Sequence, residues 1–338
     1  MMSLAGTLAA PFPYFGGKSL ACSAVWSALG NPENYVEPFA GSAAMLLGRP
    51  HDGRVETIND ADGFVANFWR AVASDASQVA KHVDWPTNET DLFARHLWLV
   101  RMSSGLLERL QSDPDYYDAK IAGWWCWGSC NWIGSGWCSG TGPWSHDGEK
   151  VVNLRKLPHL GDAGQGVNRQ LPHLGNAGQG DNRQLPHLGN AGRGRSQYIN
   201  DWFSALSDRL REVRVAAGDW KRVLTDSVTI RHGLTGVFLD PPYTKGAMDY
   251  AAGGVGGDLA NDVREWCSAN GRNELLRIVL CGHAGEHDSL LDHGWSVRTW
   301  NARKGYAITD EAVMNSSSET IWCSPMCLPE KALQGGLF

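Results

Sequence analysis

The chain has 338 residues, of which 43% are hydrophobic and 20% charged, so its composition is that of a globular protein with an ample core. Its net charge of −6 argues weakly against a nucleic-acid partner for the chain as a whole. It has no run near the roughly 18 apolar residues of a membrane span, no basic leader before residue 10 and eight scattered cysteines. These features predict a cytoplasmic protein without a signal peptide or a membrane partner.

Two strands are predicted near the N-terminus, and an acidic residue stands at or just after the end of each. Residues 34–37 read as a strand that ends at Glu37 and opens into a Gly-containing turn before a helix. Residues 55–58 read as a second strand, which is followed by Asn59 and Asp60. Helical patterns are predicted from 61 to about 83 and from 90 to 110.

The middle of the chain has an unusual composition. Residues 123–144 hold six tryptophans, break all periodicity and are interpreted as a small core in a loop-rich region rather than a base-stacking platform. A 14-residue unit then occurs three times within 156–197, each copy carrying Leu-Pro-His-Leu-Gly-(Asp or Asn)-Ala-Gly. The unit is too rich in Gly and Pro for a helix, so we predict a turn-rich loop array rather than a solenoid.

A zinc site is the alternative interpretation of this region. Its candidate ligands are Cys126, Cys130, Cys138 and His146. Their spacings of four and eight match no common zinc pattern, so we predict that the protein binds no metal.

Regular structure is predicted to resume after the repeats. An amphipathic helix runs from 198 to about 214, a strand covers 213–216, and Gly218, Asp219 and Trp220 follow. The apolar run 235–239 reads as a buried strand that leads into residues 240–243, Asp-Pro-Pro-Tyr. Further strands are predicted at 276–281, 295–300 and 319–323.

The tetrapeptide 240–243 lies at the strand edge where open α/β sheets bind ligands. Its two prolines fix two φ angles and remove two backbone donors, which leaves carbonyls free to accept. Together with an Asp carboxylate and a Tyr ring, they suit a flat molecule with an NH₂ group, such as a nucleobase. The alternative is a proline turn with a structural tyrosine.

Four predicted turns carry an acid: Glu37, Asp60, Asp219 and Asp240. A carboxylate after the second strand typically holds ribose hydroxyls, which suits Asp60. The first turn lacks Gly-x-Gly-x-x-Gly and would repel a phosphate, so a cationic nucleoside such as S-adenosylmethionine is favoured over NAD or ATP. Because Glu37 and Asp240 are 203 residues apart, we predict an insertion between their strands.

The order of the motifs resembles that of a known family. Tyr-Phe-Gly-Gly-Lys (14–18), Glu-Pro-Phe-Ala-Gly (37–41), a long insertion, Gly-Asp-Trp (218–220) and Asp-Pro-Pro-Tyr (240–243) follow one another. The chain resembles the D12 class of adenine-N6 DNA methyltransferases in its α arrangement, the class that includes the bacterial Dam enzymes. The resemblance covers roughly 11–82 and 197–325.

This resemblance implies a fold and its domains. The implied fold is α/β, a Rossmann-like methyltransferase sheet with helices on both faces and an inserted, loop-rich target recognition domain. Residues 1–85 and 197–338 would form the catalytic domain that binds S-adenosylmethionine, and 86–196 the recognition domain.

The resemblance also implies site residues. Those implied for the cofactor are Tyr14, Gly17, Lys18, Glu37, Phe39, Gly41, Asp60, Asp219 and Trp220. Within this set, Glu37, Phe39 and Gly41 would line the methionine end. Asp60 would hold the ribose, and Asp219 with Trp220 would bracket the adenine. The catalytic residues implied are Asp240, Pro241, Pro242 and Tyr243, which would hold one flipped adenine of duplex DNA.

The implied activity is site-specific adenine-N6 methylation of double-stranded DNA by a bacterial or phage-encoded enzyme of the restriction–modification type. The alternatives are an RNA adenine methyltransferase, a protein-amide methyltransferase or a non-catalytic DNA-binding regulator on the same fold. Asp240 counts against a protein amide, since related protein methyltransferases carry Asn there. Family members often act as monomers, while an exposed repeat array could support a homodimer.

The repeats are a candidate DNA contact. Residues 150–200 contain seven Lys or Arg against two acids, so the positive charge is local, and the family places recognition in this insertion. The residue types that read phosphates and base edges here are Arg169, Gln170, Arg183, Gln184, Arg193 and Arg195. The alternative is a duplicated surface loop of little consequence.

Overall fold

The computed structural model describes residues 8–14, 18–132, 137–138, 144–146, 151–153, 195–242, 256–299 and 319–330. Its strands are β1 (Asn34–Glu37), β2 (Val55–Asp60), β3 (Trp144–His146), β4 (Val151–Asn153), β5 (Val213–Ala217), β6 (Thr235–Leu239), β7 (Leu276–His283), β8 (Ser296–Thr299) and β9 (Glu319–Cys323). Its α-helices are α1 (Cys22–Leu29), α2 (Ala44–Leu47), α3 (Gly63–Val83), α4 (Glu89–Ser103), α5 (Leu106–Ser112), α6 (Ala119–Asn131), α7 (Arg195–Leu210) and α8 (Gly256–Asn270).

Seven of these strands form one sheet in the order β5-β2-β1-β6-β7-β9-β8. The first five run parallel, and β9 pairs antiparallel with both β7 and β8. The short strands β3 and β4 pair separately with each other. The parallel order places β1 in the middle, with β2 on one side and β6 on the other.

Helices cover both faces of the sheet. Because side chains alternate along a strand, Tyr35 and Phe238 contribute to one buried cluster with α1, α3 and α7. Their neighbours Val36 and Val237 contribute to a second cluster with α8. Burial on both faces explains why β6, whose sequence is Thr-Gly-Val-Phe-Leu, is largely apolar. The predicted Rossmann-like α/β fold is therefore confirmed.

The Trp-rich stretch is partly helical, contrary to its prediction as a segment without periodicity. Helix α6 covers Trp124, Trp125 and Trp127, and the last two are buried. Its apolar residues are not confined to one stripe, because α3, α4 and the N-terminal segment all pack around it. A helix enclosed in this way shows little amphipathic periodicity.

Two helix boundaries also differ from the predictions. The helix predicted from 90 to 110 is broken at Gly105, whose φ of +73° does not fit an α-helix. The helix predicted to reach 214 ends at Leu210, because β5 begins at Val213 and pairs with β2.

Residues 8–14 form an N-terminal strap that lies across α6 and α7. Trp202 Nε1 donates to the Ala9 carbonyl at 3.0 Å, and Cys130 Sγ donates to the Pro11 carbonyl at 3.3 Å. The Phe12 ring packs edge-on against Trp125, with 4.8 Å between centroids. The strap, which ends at Tyr14, is therefore anchored to α6 and α7.

Helices α5 and α6 lie in the segment predicted as the recognition domain, yet their apolar residues join the same buried cluster as α3. The domain boundaries at 85/86 and 196/197 stay a prediction. None of the described helices has the length and apolar character that crossing a bilayer requires.

Candidate active site

The four acidic turns lie along one edge of the sheet. Strands β5, β2, β1 and β6 are neighbours and parallel, so their carboxyl ends meet at the same edge. Glu37 ends β1, Asp60 ends β2, Asp219 comes two residues after β5, and Asp240 directly follows β6. The sheet thus brings together acids that are widely spaced in sequence.

Glu37 is a buried carboxyl whose hydrogen bonds fix its orientation. The Tyr35 hydroxyl and the Leu46 amide both donate to Glu37 Oε2 at 3.1 Å. Burial raises its pKa to about 8, and the nearby acids Asp240 and Glu56 act in the same direction. The two hydrogen bonds oppose the shift but do not cancel it, so this group can change its charge near neutral pH.

Asp60 organises the turn that follows β1. Its Oδ2 accepts from the Gly41 amide at 2.8 Å, and its Oδ1 accepts from the Asp62 amide at 2.9 Å. Burial raises the pKa of Asp60 to about 7, with Asp62 adding to the rise. The carboxylate is therefore preoriented at the end of β2.

Gly41 is the centre of this turn and has no room for a side chain. Its φ is +47°, and a Cβ atom would lie 2.4 Å from Tyr14 Cε1. The indole nitrogen of Trp69 donates to the Gly41 carbonyl at 2.9 Å. Tyr14 from the strap, Asp60 from β2 and Trp69 from α3 thus all converge on one glycine.

Two aromatic rings meet at the β1 and β5 turns. Phe39 and Trp220 stack with 6.0 Å between ring centroids and 29° between planes. Trp220 is buried and Phe39 half-buried. Asp219 is exposed, and its Oδ1 caps the short helix Trp220–Val223 by accepting from the Lys221 amide at 2.8 Å.

Asp240 is paired with a cation from the other end of the chain. Lys18 Nζ lies 3.3 Å from Asp240 Oδ1, and the side chains of Lys18 and Asp240 are only 4% and 20% exposed. Pro241 is buried, and Pro242 is half-buried. The Tyr-Phe-Gly-Gly-Lys motif and the Asp-Pro-Pro-Tyr motif therefore meet in one site.

Several predicted site residues lie outside the described part of the chain: Gly17, Tyr243, Arg169, Gln170, Arg183, Gln184 and Arg193. Arg195 is the first residue of α7. Within the described ranges, no group of three or more His, Cys, Asp or Glu residues is placed to hold a metal ion. Cys126 and Cys130 instead point at the Pro11 carbonyl.

Sequence reasoning missed two residues that support the site, Trp69 and Asn59. Asn59 is 1% exposed, and its Nδ2 donates to the carbonyls of Pro38 and Gly218 at 3.0 and 2.9 Å. The signal in the sequence for Asn59 was a polar amide side chain near the end of β2, directly before Asp60. For Trp69 no local pattern separates it from an ordinary core residue.

The sheet order and the acidic carboxyl edge define a Rossmann-like methyltransferase fold. Residues 14–99 match the family model of the D12 class N6 adenine-specific DNA methyltransferase. The resemblance drawn from the motifs is thereby confirmed, and the match supports an N6-adenine DNA methyltransferase of that class. No curated protein matches the chain. The matched range holds Lys18, Glu37 and Asp60, whereas Asp219 and Asp240 lie beyond it.

Proposed function

We propose that the protein transfers a methyl group from S-adenosylmethionine to N6 of an adenine turned out of duplex DNA. The ion pair between Lys18 and Asp240 is the observation that carries this proposal. It joins the segment that matches the family model to a strand end outside the match. The donor site and the base site are thereby proposed to adjoin at the β1 and β6 ends.

The residues at the edge fit a cationic nucleoside better than a phosphate ligand. In their ionised forms Glu37, Asp60 and Asp240 add negative potential there, and a positively charged ligand favours those forms whereas a phosphate opposes them. Asp60 at the end of β2 is placed to accept from ribose hydroxyls. Trp220, on which Phe39 stacks, offers apolar surface beside Asp219 for a nucleobase.

On the donor side, Glu37, Phe39 and Gly41 would hold the methionine end, and the strap residue Tyr14 would help to close over the cofactor. S-adenosylmethionine supplies an electrophilic methyl group on a sulfonium when it is bound. The buried carboxyl of Glu37 becomes more favourable as an anion near such a cation, because opposite charges interact strongly in a desolvated site.

On the acceptor side, Asp240 and the Pro241 carbonyl each offer an oxygen to one hydrogen of an adenine N6. The lone pair of this nitrogen is delocalised into the ring, which makes it a poor nucleophile. Two acceptors favour a pyramidal nitrogen and return electron density to it, so that correct positioning supplies much of the rate. Tyr243 is proposed to stack on the extruded base.

Lys18 has a supporting part in this scheme. Its ammonium stabilises the ionised form of Asp240, which is the form that accepts a hydrogen bond. It also occupies one direction around Oδ1, which orients the carboxylate. We therefore propose that Lys18 supports the base site through Asp240 as well as the donor site.

The insertion is proposed to read the DNA sequence, with Arg195 and the repeat residues as its basic contacts. This assignment and the domain boundaries rest on the local excess of positive charge between 150 and 200. Homodimerisation and a bacterial or phage origin are part of the same proposal.

The decisive assay uses labelled S-adenosylmethionine with duplex DNA, RNA or protein, followed by mapping of the modified residue. We expect label on N6 of adenine in DNA, and none with a folded Asp240→Ala protein that still binds the donor. Label on RNA but not on DNA would identify the alternative enzyme. Donor-independent DNA binding without label would identify the regulator.

The role of the repeats is tested by deleting one 14-residue copy. We expect weaker or altered DNA binding, with donor affinity unchanged. If the DNA affinity and site preference both stay as in the wild type, the repeats are a surface loop without a recognition role.

A further inference from the structure

Asn59 joins the two turns on either side of its own strand. Its Nδ2 donates to the Pro38 carbonyl at 3.0 Å and to the Gly218 carbonyl at 2.9 Å. Pro38 follows β1 and Gly218 follows β5, the two strands that flank β2. We call this pair of hydrogen bonds the Asn59 bridge.

The backbone of β2 reinforces the same link. The Ala40 amide donates to the Asn59 carbonyl at 2.9 Å, and the Gly218 amide donates to the Asp60 carbonyl at 2.9 Å. The Asn59 side chain is 1% exposed, so solvent does not compete effectively for its donors. Three strand ends are thus tied together at one buried residue.

The two bridged carbonyls lie one and two residues before the aromatic residues of the edge. Pro38 is followed by Phe39, and Gly218 is followed by Asp219 and Trp220. The stacking of Phe39 on Trp220 therefore spans the same two turns that the bridge connects. A change in the separation of these turns would move both rings.

We propose that Asn59 is a positioning residue for the methyl donor, because its bridge fixes the separation of the two turns that would contact that ligand. This inference rests on the proposed function. The primary amide suits the position, since it places two N–H donors on one atom opposite two carbonyl acceptors. An ionised aspartate of the same shape offers acceptors only and would repel both carbonyls.

The chain contains a matched control at the opposite end of the sheet. Asn34 begins β1, is fully buried, and donates from Nδ2 to the carbonyls of Val228 and Thr229 at 2.7 and 3.2 Å. Among the described residues, nothing donates to Oδ1 of Asn34 or of Asn59. Asn34→Asp thus makes the same chemical change far from the carboxyl edge.

The experiment compares full-length Asn59→Asp and Asn34→Asp with the wild type. We measure urea unfolding, donor affinity by calorimetry, and methylation kinetics with duplex DNA. Both variants should lose stability, because each leaves buried carbonyls without donors. In Asn59→Asp alone, the Kd and KM for S-adenosylmethionine should rise about tenfold. A change of this size corresponds to the free energy of roughly one hydrogen bond that no longer holds the two turns in place. Its kcat at saturating donor should stay within about twofold.

Three results would overturn parts of this scheme in distinguishable ways. Wild-type donor affinity in Asn59→Asp overturns the role of Asn59 alone. An equal loss of affinity in Asn34→Asp shows a general effect of destabilisation and also overturns it. A wild-type protein that binds no donor overturns the proposed function and this inference with it. If Asn59→Asp does not fold, Asn59→Ala, which adds no charge, carries the same expectations.

Discussion

Lys18 Nζ lies 3.3 Å from Asp240 Oδ1, so the first motif of the chain and the end of β6 share one ion pair. The side chain of Lys18 is 4% exposed. An ammonium buried to this degree contributes far more to its partner than a surface lysine does. The pair makes Lys18 the most direct point at which to test the site.

We expect Lys18→Met to lower kcat by about a hundredfold, a loss typical of one removed electrostatic contact in an active site. Methionine keeps much of the buried side-chain volume but leaves Asp240 without this cation. Steady-state methylation kinetics measure the effect. The control is Arg54→Met, which breaks the exposed pair with Glu33 and should leave kcat unchanged. Wild-type turnover in Lys18→Met would remove Lys18 from the mechanism.

Donor affinity should increase with pH because of Glu37. Its pKa of about 8 means that the carboxyl is mostly protonated at pH 7, whereas a cationic donor favours the carboxylate. Affinity for S-adenosylmethionine should therefore rise from pH 7 to 9 in the wild type and change less in Glu37→Gln. Calorimetry on both proteins separates this effect from titration of the ligand itself. If donor affinity changes with pH in the same way in both proteins, Glu37 is not the group that responds to the donor.

Glu37 should also make the fold less stable at high pH. Its folded-state pKa lies above the ordinary value of 4.5, so the folded state holds this proton more tightly than the unfolded state. The resulting stabilisation is fully present below pH 4.5 and is lost as pH rises through about 8. Urea unfolding at pH 6 and 9 should show a smaller decline in Glu37→Gln than in the wild type. If Glu37→Gln loses as much unfolding free energy between pH 6 and 9 as the wild type does, a group other than Glu37 causes the decline.

Trp69→Phe should weaken donor binding severalfold while preserving the fold. The variant retains an aromatic ring but loses the indole donor to the Gly41 carbonyl, and such a bond is worth about 1 kcal/mol. Trp127→Phe is the matched control, because Trp127 Nε1 donates to the Trp85 carbonyl at 2.9 Å away from the edge. Equal donor affinities in the two variants would show that the hydrogen bond from Trp69 to the Gly41 carbonyl does not contribute to donor binding.

Arg209→Met should destabilise the protein by about 2 kcal/mol, because it leaves the buried Glu56 carboxylate with Arg49 alone. Arg209 contacts both oxygens of Glu56, at 2.6 and 2.8 Å. Urea unfolding measures the loss. The exposed pair of Arg211 with Asp208 provides the comparison, and Arg211→Met should change the unfolding free energy much less. Equal losses of unfolding free energy in the two variants would show that the pair of Arg209 with Glu56 stabilises the fold no more than the exposed pair does.

The sequence was sufficient to predict the strands that carry the site, because β6 is a short apolar run that ends just before Asp240 and β1 ends at Glu37, directly before a Gly-containing turn. It did not predict α6, since a helix enclosed on several sides carries apolar residues all round. Nor did it predict which groups pair. The contact of Lys18 with Asp240 joins a residue before α1 to the end of β6, and the Asn59 bridge depends on β5 lying beside β2.

The strand order has a consequence for synthesis on the ribosome. Strands β1 and β2 emerge first, but their outer neighbours β6 and β5 are encoded only after helices α3 to α7. At typical elongation rates, roughly ten to thirty seconds separate β2 from β5. During that interval both outer edges of the nascent β1–β2 pair lack their final partners, and unpaired edges are prone to association with other chains. The long stretch of chain between β2 and β5 therefore leaves these two edges open to pairing with other chains during synthesis.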